Sequence, residues 1–117
     1  MRKVLFGLIV VAFLVACGDQ EASYTIVEED INTEGGKSTV RLYTEDMSED
    51  NIKAIIKELR MGEYFGSASI HAWIHEPPTD NLPDYGSLSA VAKYAHSTNG
   101  LAQVGVEETG KVYIEFQ

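Results

Sequence analysis

Apolar and polar positions alternate through most of this chain and switch clearly to a helical period once, so the pattern alone divides it into elements. Residues 24–29 carry Ile26 and Val27 in an alternating run and predict a first strand. Asn32-Thr33-Glu34-Gly35-Gly36 follows, and its paired glycines supply turn geometry. Residues 39–44 predict a second strand, with Val40 and Leu42 on one face and Thr39, Arg41 and Tyr43 on the other. Residues 48–61 then place Ile52, Ile55, Ile56 and Leu59 at i, i+3, i+4 and i+7, the apolar stripe of an amphipathic helix. Ser48 suits the N-cap, Glu49 and Asp50 the positive end of the helix dipole, Lys57 and Arg60 the negative end, and Gly62 the stop. Burying four such side chains contributes roughly 6–12 kcal/mol before entropy is charged, so this helix is expected to close the core against a sheet.

Residues 67–75 show the sharpest alternation, with Ala68, Ile70, Ala72 and Ile74 on one face and Ser69, His71, Trp73 and His75 on the other. Residues 76–86 hold Pro77, Pro78 and Pro83 and predict a loop stiff enough to keep a shape. Residues 87–96 fit a helix through Leu88, Val91, Ala92 and Ala95 and a strand through Leu88, Ala90, Ala92 and Tyr94; the strand is the reading adopted. Ser97-Thr98-Asn99-Gly100 carries the Asn-Gly hairpin signal, so residues 101–106 are expected to return antiparallel before a turn at Thr109-Gly110. Residues 111–117 close the chain as a strand with Val112, Ile114 and Phe116 inward. The expected fold class is α+β: a single amphipathic helix packed on one face of a mostly antiparallel sheet, in the order β-β-α-β-β-β-β.

The first residues follow neither period. Arg2 and Lys3 precede an apolar run over residues 4–16, and the single cysteine, Cys17, stands directly after it, followed by Gly18, Asp19, Gln20 and Glu21. The run is shorter than the roughly 20 apolar residues a membrane-spanning helix needs, and Ala16 is the small residue a signal peptidase cuts behind. Leu14-Val15-Ala16-Cys17 resembles the lipobox of bacterial lipoproteins. That resemblance implies that residues 1–16 are a signal peptide that is removed and that Cys17, carrying a diacylglyceryl group, becomes the N-terminus. Residues 17–23 are then the lipidated end and a short tether, and residues 24–117 a single domain on the extracytoplasmic face of the cell membrane. A stray thiol inside an ordinary secretory leader is the alternative; lipidation, unlike it, accounts for an odd cysteine in an exported chain. Gly18 to Ser23 reaches roughly 20 Å when fully extended, so the domain is expected close to the bilayer.

Charge narrows the partners. The chain has 9 basic and 18 acidic residues, and loss of Arg2 and Lys3 with the leader leaves 7 against 18, a balance of −11. Such a field disfavours nucleic acid and anionic lipid head groups, so attachment to the membrane is expected to rest on the acyl chains at Cys17. No nucleic-acid partner is expected.

The candidate chemistry is sparse. His71 and His75 share a strand face but lie roughly 13 Å apart at strand spacing, too far for one ion held at about 2.0–2.1 Å from each nitrogen, so no metal is expected. There is no Gly-x-Ser-x-Gly elbow, no thiol left after lipidation, and no phosphate-cradling glycine loop, since Gly35-Gly36 lacks a strand-to-helix context. No catalytic residue and no cofactor are expected. Acidic pairs such as Glu28-Glu29, Asp80/Asp84 and Glu107-Glu108 fit a solvated surface. What remains is a set of side chains opposite the helix: Arg41, Tyr43, His71, Trp73 and His75, gathered into a partner-binding face if the second and third strands are neighbours. Trp, Tyr and Arg dominate binding hot spots. Equally weighted is a Trp73 packed beneath the proline loop as a small satellite core.

The layout from Tyr24 to Lys111-Val112-Tyr113-Ile114, with the phrase Ala95-His96-Ser97-Thr98-Asn99-Gly100-Leu101-Ala102-Gln103-Val104-Gly105-Val106, resembles small lipoproteins of unassigned function from Gram-positive bacteria, some encoded by phages or conjugative elements. The resemblance implies a non-catalytic protein-binding module anchored at the membrane, acting in exclusion or immunity of a mobile element. The other reading is an envelope lipoprotein that binds a ligand or assists hydrolysis.

Overall fold

The computed structural model describes Ile9–Val11 and residues 22–117. Among these residues six strands and two helices follow one another as β1 (Ile9–Val11), β2 (Tyr24–Asp30), β3 (Lys37–Tyr43), α1 (Glu49–Met61), β4 (Ser69–His75), β5 (Leu88–Ala95), α2 (Thr98–Val104) and β6 (Val112–Phe116). The strands lie side by side in chain order. Strand β1 falls within the expected leader and adds to the outer edge of β2, and the remaining five strands form the mixed sheet proper. Cys17, the rest of the expected leader and residues 18–21 lie outside the described residues.

The class is α+β, with two departures from expectation. Strands β3 and β4 are parallel, paired from Lys37↔Ser69 to Tyr43↔His75, while the other neighbours are antiparallel. Parallel neighbours need a crossover of a dozen or more residues, and α1 is that crossover. The second departure is α2. Residues 98–104 are helical where a hairpin and a returning strand were expected, so the order is β-β-α-β-β-α-β over residues 24–117. The reason lies at Gly100. A Cβ there would stand 2.0 Å from the carbonyl oxygen of Ala68, so the glycine serves close docking of α2 on the start of β4 and not a two-residue turn. Gly105, at φ 75°, then ends α2 in the left-handed conformation.

Helix α1 begins and ends where its pattern predicts. The Ser48 hydroxyl accepts from the Asn51 amide at 3.2 Å, and the Asn51 side chain donates to the Asp46 carbonyl at 2.7 Å and to the Thr44 hydroxyl, tying the helix start to the end of β3. Ile52, Ile55 and Ile56 are fully buried with Leu59 beside them. Opposite lie Val40 and Leu42 of β3, Ile70, Ala72 and Ile74 of β4, and Ala90, Ala92 and Tyr94 of β5. The alanines on the central strands leave room for the isoleucines of the helix, so the layers interdigitate.

The edge beyond β2 is held by polar contacts. Tyr64 donates to Glu29 at 2.7 Å, and Tyr24 and the Ala22 amide both reach Glu58 at 3.3 Å. Ala22, two residues ahead of Tyr24, is buried in the core cluster. At the other edge, Val112 and Ile114 pack on the core as expected, but Phe116, paired with Ala90 at the end of β6, is 54 % exposed.

Candidate functional site

The parallel register of β3 on β4 sets Arg41 beside Trp73 and Tyr43 beside His75, so the five side chains singled out above do share one face. That face is opposite α1, because Val40 and Leu42 alternate with Arg41 and Tyr43. Four of the five stand within a connected group, and Tyr43 adjoins them in register without a hydrogen bond from its hydroxyl among the described residues.

Arg41 is its centre. Its guanidinium carbon lies 5.2 Å from the Trp73 ring centre and 5.4 Å from that of Tyr85, within cation–π range of both. One terminal amine is 2.7 Å from His75 Nε2, and its Nε donates to Glu28 at 3.4 Å. His75 Nδ1 lies 2.8 Å from the carbonyl oxygen of Gly86. A carbonyl accepts only, so Nδ1 carries the proton, and Nε2 accepts from Arg41. His75 is therefore neutral and fixed in one tautomer. Burial displaces its titration downward most, the Gly86 carbonyl pulls the other way, and the Arg41 charge adds to the downward shift.

This settles what the proline loop covers. Tyr85, from residues 76–86, packs against His75 with ring centres 4.3 Å apart and planes tilted by 58°, and Gly86 holds the imidazole, leaving His75 only 4 % exposed. Thus His75 supports the face from beneath and does not present itself to a partner. Trp73 is half-buried, flanked by His71 at 4.4 Å in a stacked pair and by Arg41. His71 is half-buried as well, and its titration is displaced downward by burial first, then by the charges of Lys93 and Lys37.

Reading the residues in sequence missed Tyr85, Glu28, Lys37 and Lys93. Tyr85 is an aromatic residue in the proline loop, and that was the available signal; Glu28 was hidden by the irregularity in β2 between Ile26 and Glu28, which shifts its pairing with β3. The lysines carry no signal apart from strand parity. Beside Lys93, a shallow groove of about 430 Å³ runs between β5, β6 and residues 105–107, lined in part by Glu107, Tyr113 and Glu115. The two histidines with displaced titration lie outside it. Among the described residues no group of three or more His, Cys, Asp or Glu side chains converges to hold a metal ion. No helix among them is long and apolar enough to cross a membrane.

No family model, curated protein or solved structure matches the chain.

Proposed function

We propose that this chain is a lipid-anchored, non-catalytic protein-binding domain at the extracytoplasmic face of the cell membrane. The lipobox at Cys17 supports the anchor, and the exposed-face cluster of Arg41, Trp73 and His71 supports the binding. One observation carries the reading: a cation between two aromatic rings, braced by a buried histidine and a loop, on the sheet face opposite α1. Rigid aromatic and arginine side chains lose little entropy on contact, and such residues supply most of the affinity at protein interfaces. Charge favours an acidic partner. Lys37, Arg41, Lys93 and Lys111 stand on this face, four of the seven basic residues that remain after the leader. Exclusion or immunity of a mobile element is the setting the resemblance to small lipoproteins suggests.

Two substitutions test the reading. Cys17→Ser should leave a folded, exported protein in the soluble fraction; retention on membranes in detergent-free buffer would refute the anchor. Trp73→Ala should lower cross-linked partner capture from intact membranes at least tenfold, equivalent to about 1.4 kcal/mol or more, while the chain still melts cooperatively. A destabilised Trp73→Ala protein with unchanged capture per folded molecule would refute the binding face.

A further inference from the structure

On this same face, and resting on the binding reading, lies a second group of cations that the Arg41 cluster does not use. His71 stands in the middle of the sheet, with Thr39 of β3 on one side and Lys93 of β5 on the other. Lys37 is two residues before Thr39 and on the same side of β3. Burial first, and then the charges of Lys93 and Lys37, disfavour protonation of the imidazole. Among the described residues the ion pairs are Arg41 with Glu28 and Lys53 with Glu49, so neither Lys37 nor Lys93 is paired, in a chain with a large excess of acid. Asp30, beside Thr39 on β2, and Glu115, diagonal to Lys93 on β6, flank the group without closing on it.

We propose that Lys37, His71 and Lys93 form a subsite for one carboxylate side chain of the partner protein, with Trp73 as the platform for the residue next to it. Size argues for a single acidic residue. Three adjacent strands about 4.8 Å apart put Lys37, His71 and Lys93 within a strip about 10 Å wide, with Asp30 next to it on β2, Glu115 diagonal to Lys93 on β6, and Lys111 over Tyr113 directly across from Lys93. Asp30 and Glu115 repel an extended polyanion at the margins, whereas one carboxylate fits between Lys37 and Lys93 and leaves its chain free to lie on the indole. The stacked His71 and Trp73 rings, 4.4 Å apart, join the two halves of the subsite. A carboxylate between the lysines would also reverse their effect on His71, because it favours the protonated ring. Binding should therefore take up a proton and tighten as pH falls through the range where free His71 is neutral and bound His71 is charged. The charged groups facing that ring are Lys37 from β3, Lys93 from β5 and, beyond Thr39, Asp30 from β2.

The test uses the full chain and three probes: the blocked peptide acetyl-Gly-Glu-Trp-Gly-amide, its Gln counterpart, and inorganic phosphate, read by nuclear magnetic resonance at the His71 imidazole and the Trp73 indole. The Glu peptide should move both signals, raise the His71 titration midpoint, and bind at least tenfold more tightly than the Gln peptide. Lys37→Glu with Lys93→Glu should erase that tenfold preference. Equal binding of the two peptides, a His71 midpoint unmoved by the Glu peptide, or saturation by phosphate with no response to the Glu peptide would each overturn the subsite. If both peptides move Trp73 equally and leave His71 still, the subsite fails while the binding face stands; if Trp73→Ala leaves partner capture unchanged, the face itself fails.

Discussion

The two faces of β3, β4 and β5 use alternate residues of the same strands, yet they are held by different kinds of force. Beneath α1, Val40, Leu42, Ile70, Ala72, Ile74, Ala90 and Ala92 are apolar volumes packed against Ile52, Ile55 and Ile56. That contact is non-directional, and any residue of similar size and polarity would serve. On the opposite face Arg41, His71, Trp73 and His75 are positioned by directional contacts. Arg41 alone contacts Trp73, Tyr85, His75 and Glu28, which come from β4, the proline loop and β2. The helix-covered face is therefore held by apolar volume, and the opposite face by directional contacts around Arg41.

The sharpest break of that division is a charge placed under the helix. Ile55→Asp or Ile56→Asp buries an unpaired carboxylate at a site with no solvent exposure and should cost more than about 5 kcal/mol, enough to unfold the domain. Circular dichroism should then show no cooperative melt. A melt near the parent temperature would mean that α1 does not close the core.

How far the two faces were legible follows from the same contrast. Hydrophobic burial depends on local period, so β2, β3, α1, β4 and β6 are readable from spacing, whereas the spacing of β5 fits a helix as well as the strand it forms. Which strands are neighbours, and in which direction, is not local. The parallel pairing of β3 with β4 follows from α1 acting as a crossover, and without that step the gathering of Arg41 with Trp73 is only an assumption. His75 matched the outward parity of its strand, but the loop returns over it through Tyr85 and Gly86, and period-two reasoning has no means of anticipating a loop. The α2 segment fails for another reason. Asn99-Gly100 is a strong hairpin signal, and the tertiary demand for a residue without Cβ against Ala68 produces the same dipeptide. Leu101 and Val104 at helical spacing with Gly105 as a stop were the competing signal.

Gly100→Ala sharpens the comparison at the end of the sheet. Its new methyl group meets backbone at 2.0 Å, so α2 must move away from β4, at a cost of about 3 kcal/mol. Urea denaturation should register this as a lower midpoint at unchanged slope, and the Ser69 to Gln103 hydrogen bond of 2.6 Å, which bridges β4 and α2, should be lost with it. An unchanged midpoint would mean that α2 is only loosely docked.

Tyr64→Phe probes the polar margin of the covered face. It removes the hydroxyl that donates to Glu29 while keeping the buried ring, and should cost about 1–2 kcal/mol. Burial, then the hydrogen bond to Glu29, pushes the Tyr64 titration far upward, so the hydroxyl keeps its proton over the whole accessible alkaline range. The loss should accordingly be the same at neutral and at mildly alkaline pH, and a pH-dependent loss would contradict this bond.

The smallest expected effect belongs to the open face. His71 and His75 both titrate below the ordinary histidine value, chiefly because burial penalises the charged ring, with nearby Lys93 and Lys37 adding to it for His71 and Arg41 for His75. A depressed histidine stabilises the fold above the unfolded-state value of about 6.5, and that contribution is lost as pH falls from there through the folded-state value, because the unfolded chain then binds more protons. Protonating His75 would also take away the lone pair that accepts from Arg41 and set two cations 2.7 Å apart, so Arg41 would leave its place between Trp73 and Tyr85. With solvent screening at a half-open face, the change in global stability between about pH 7 and about pH 5.5 should be no more than about 1 kcal/mol. The local change is larger than the global one. Tryptophan fluorescence, which reports only Trp73, should therefore shift before the fold melts, and His75→Gln should flatten that shift while leaving the slower acid titration of the carboxylates in place. A fluorescence transition that coincides with global unfolding in both proteins would show that the open face has no independent response, and that its side chains are held by the same packing as the covered one.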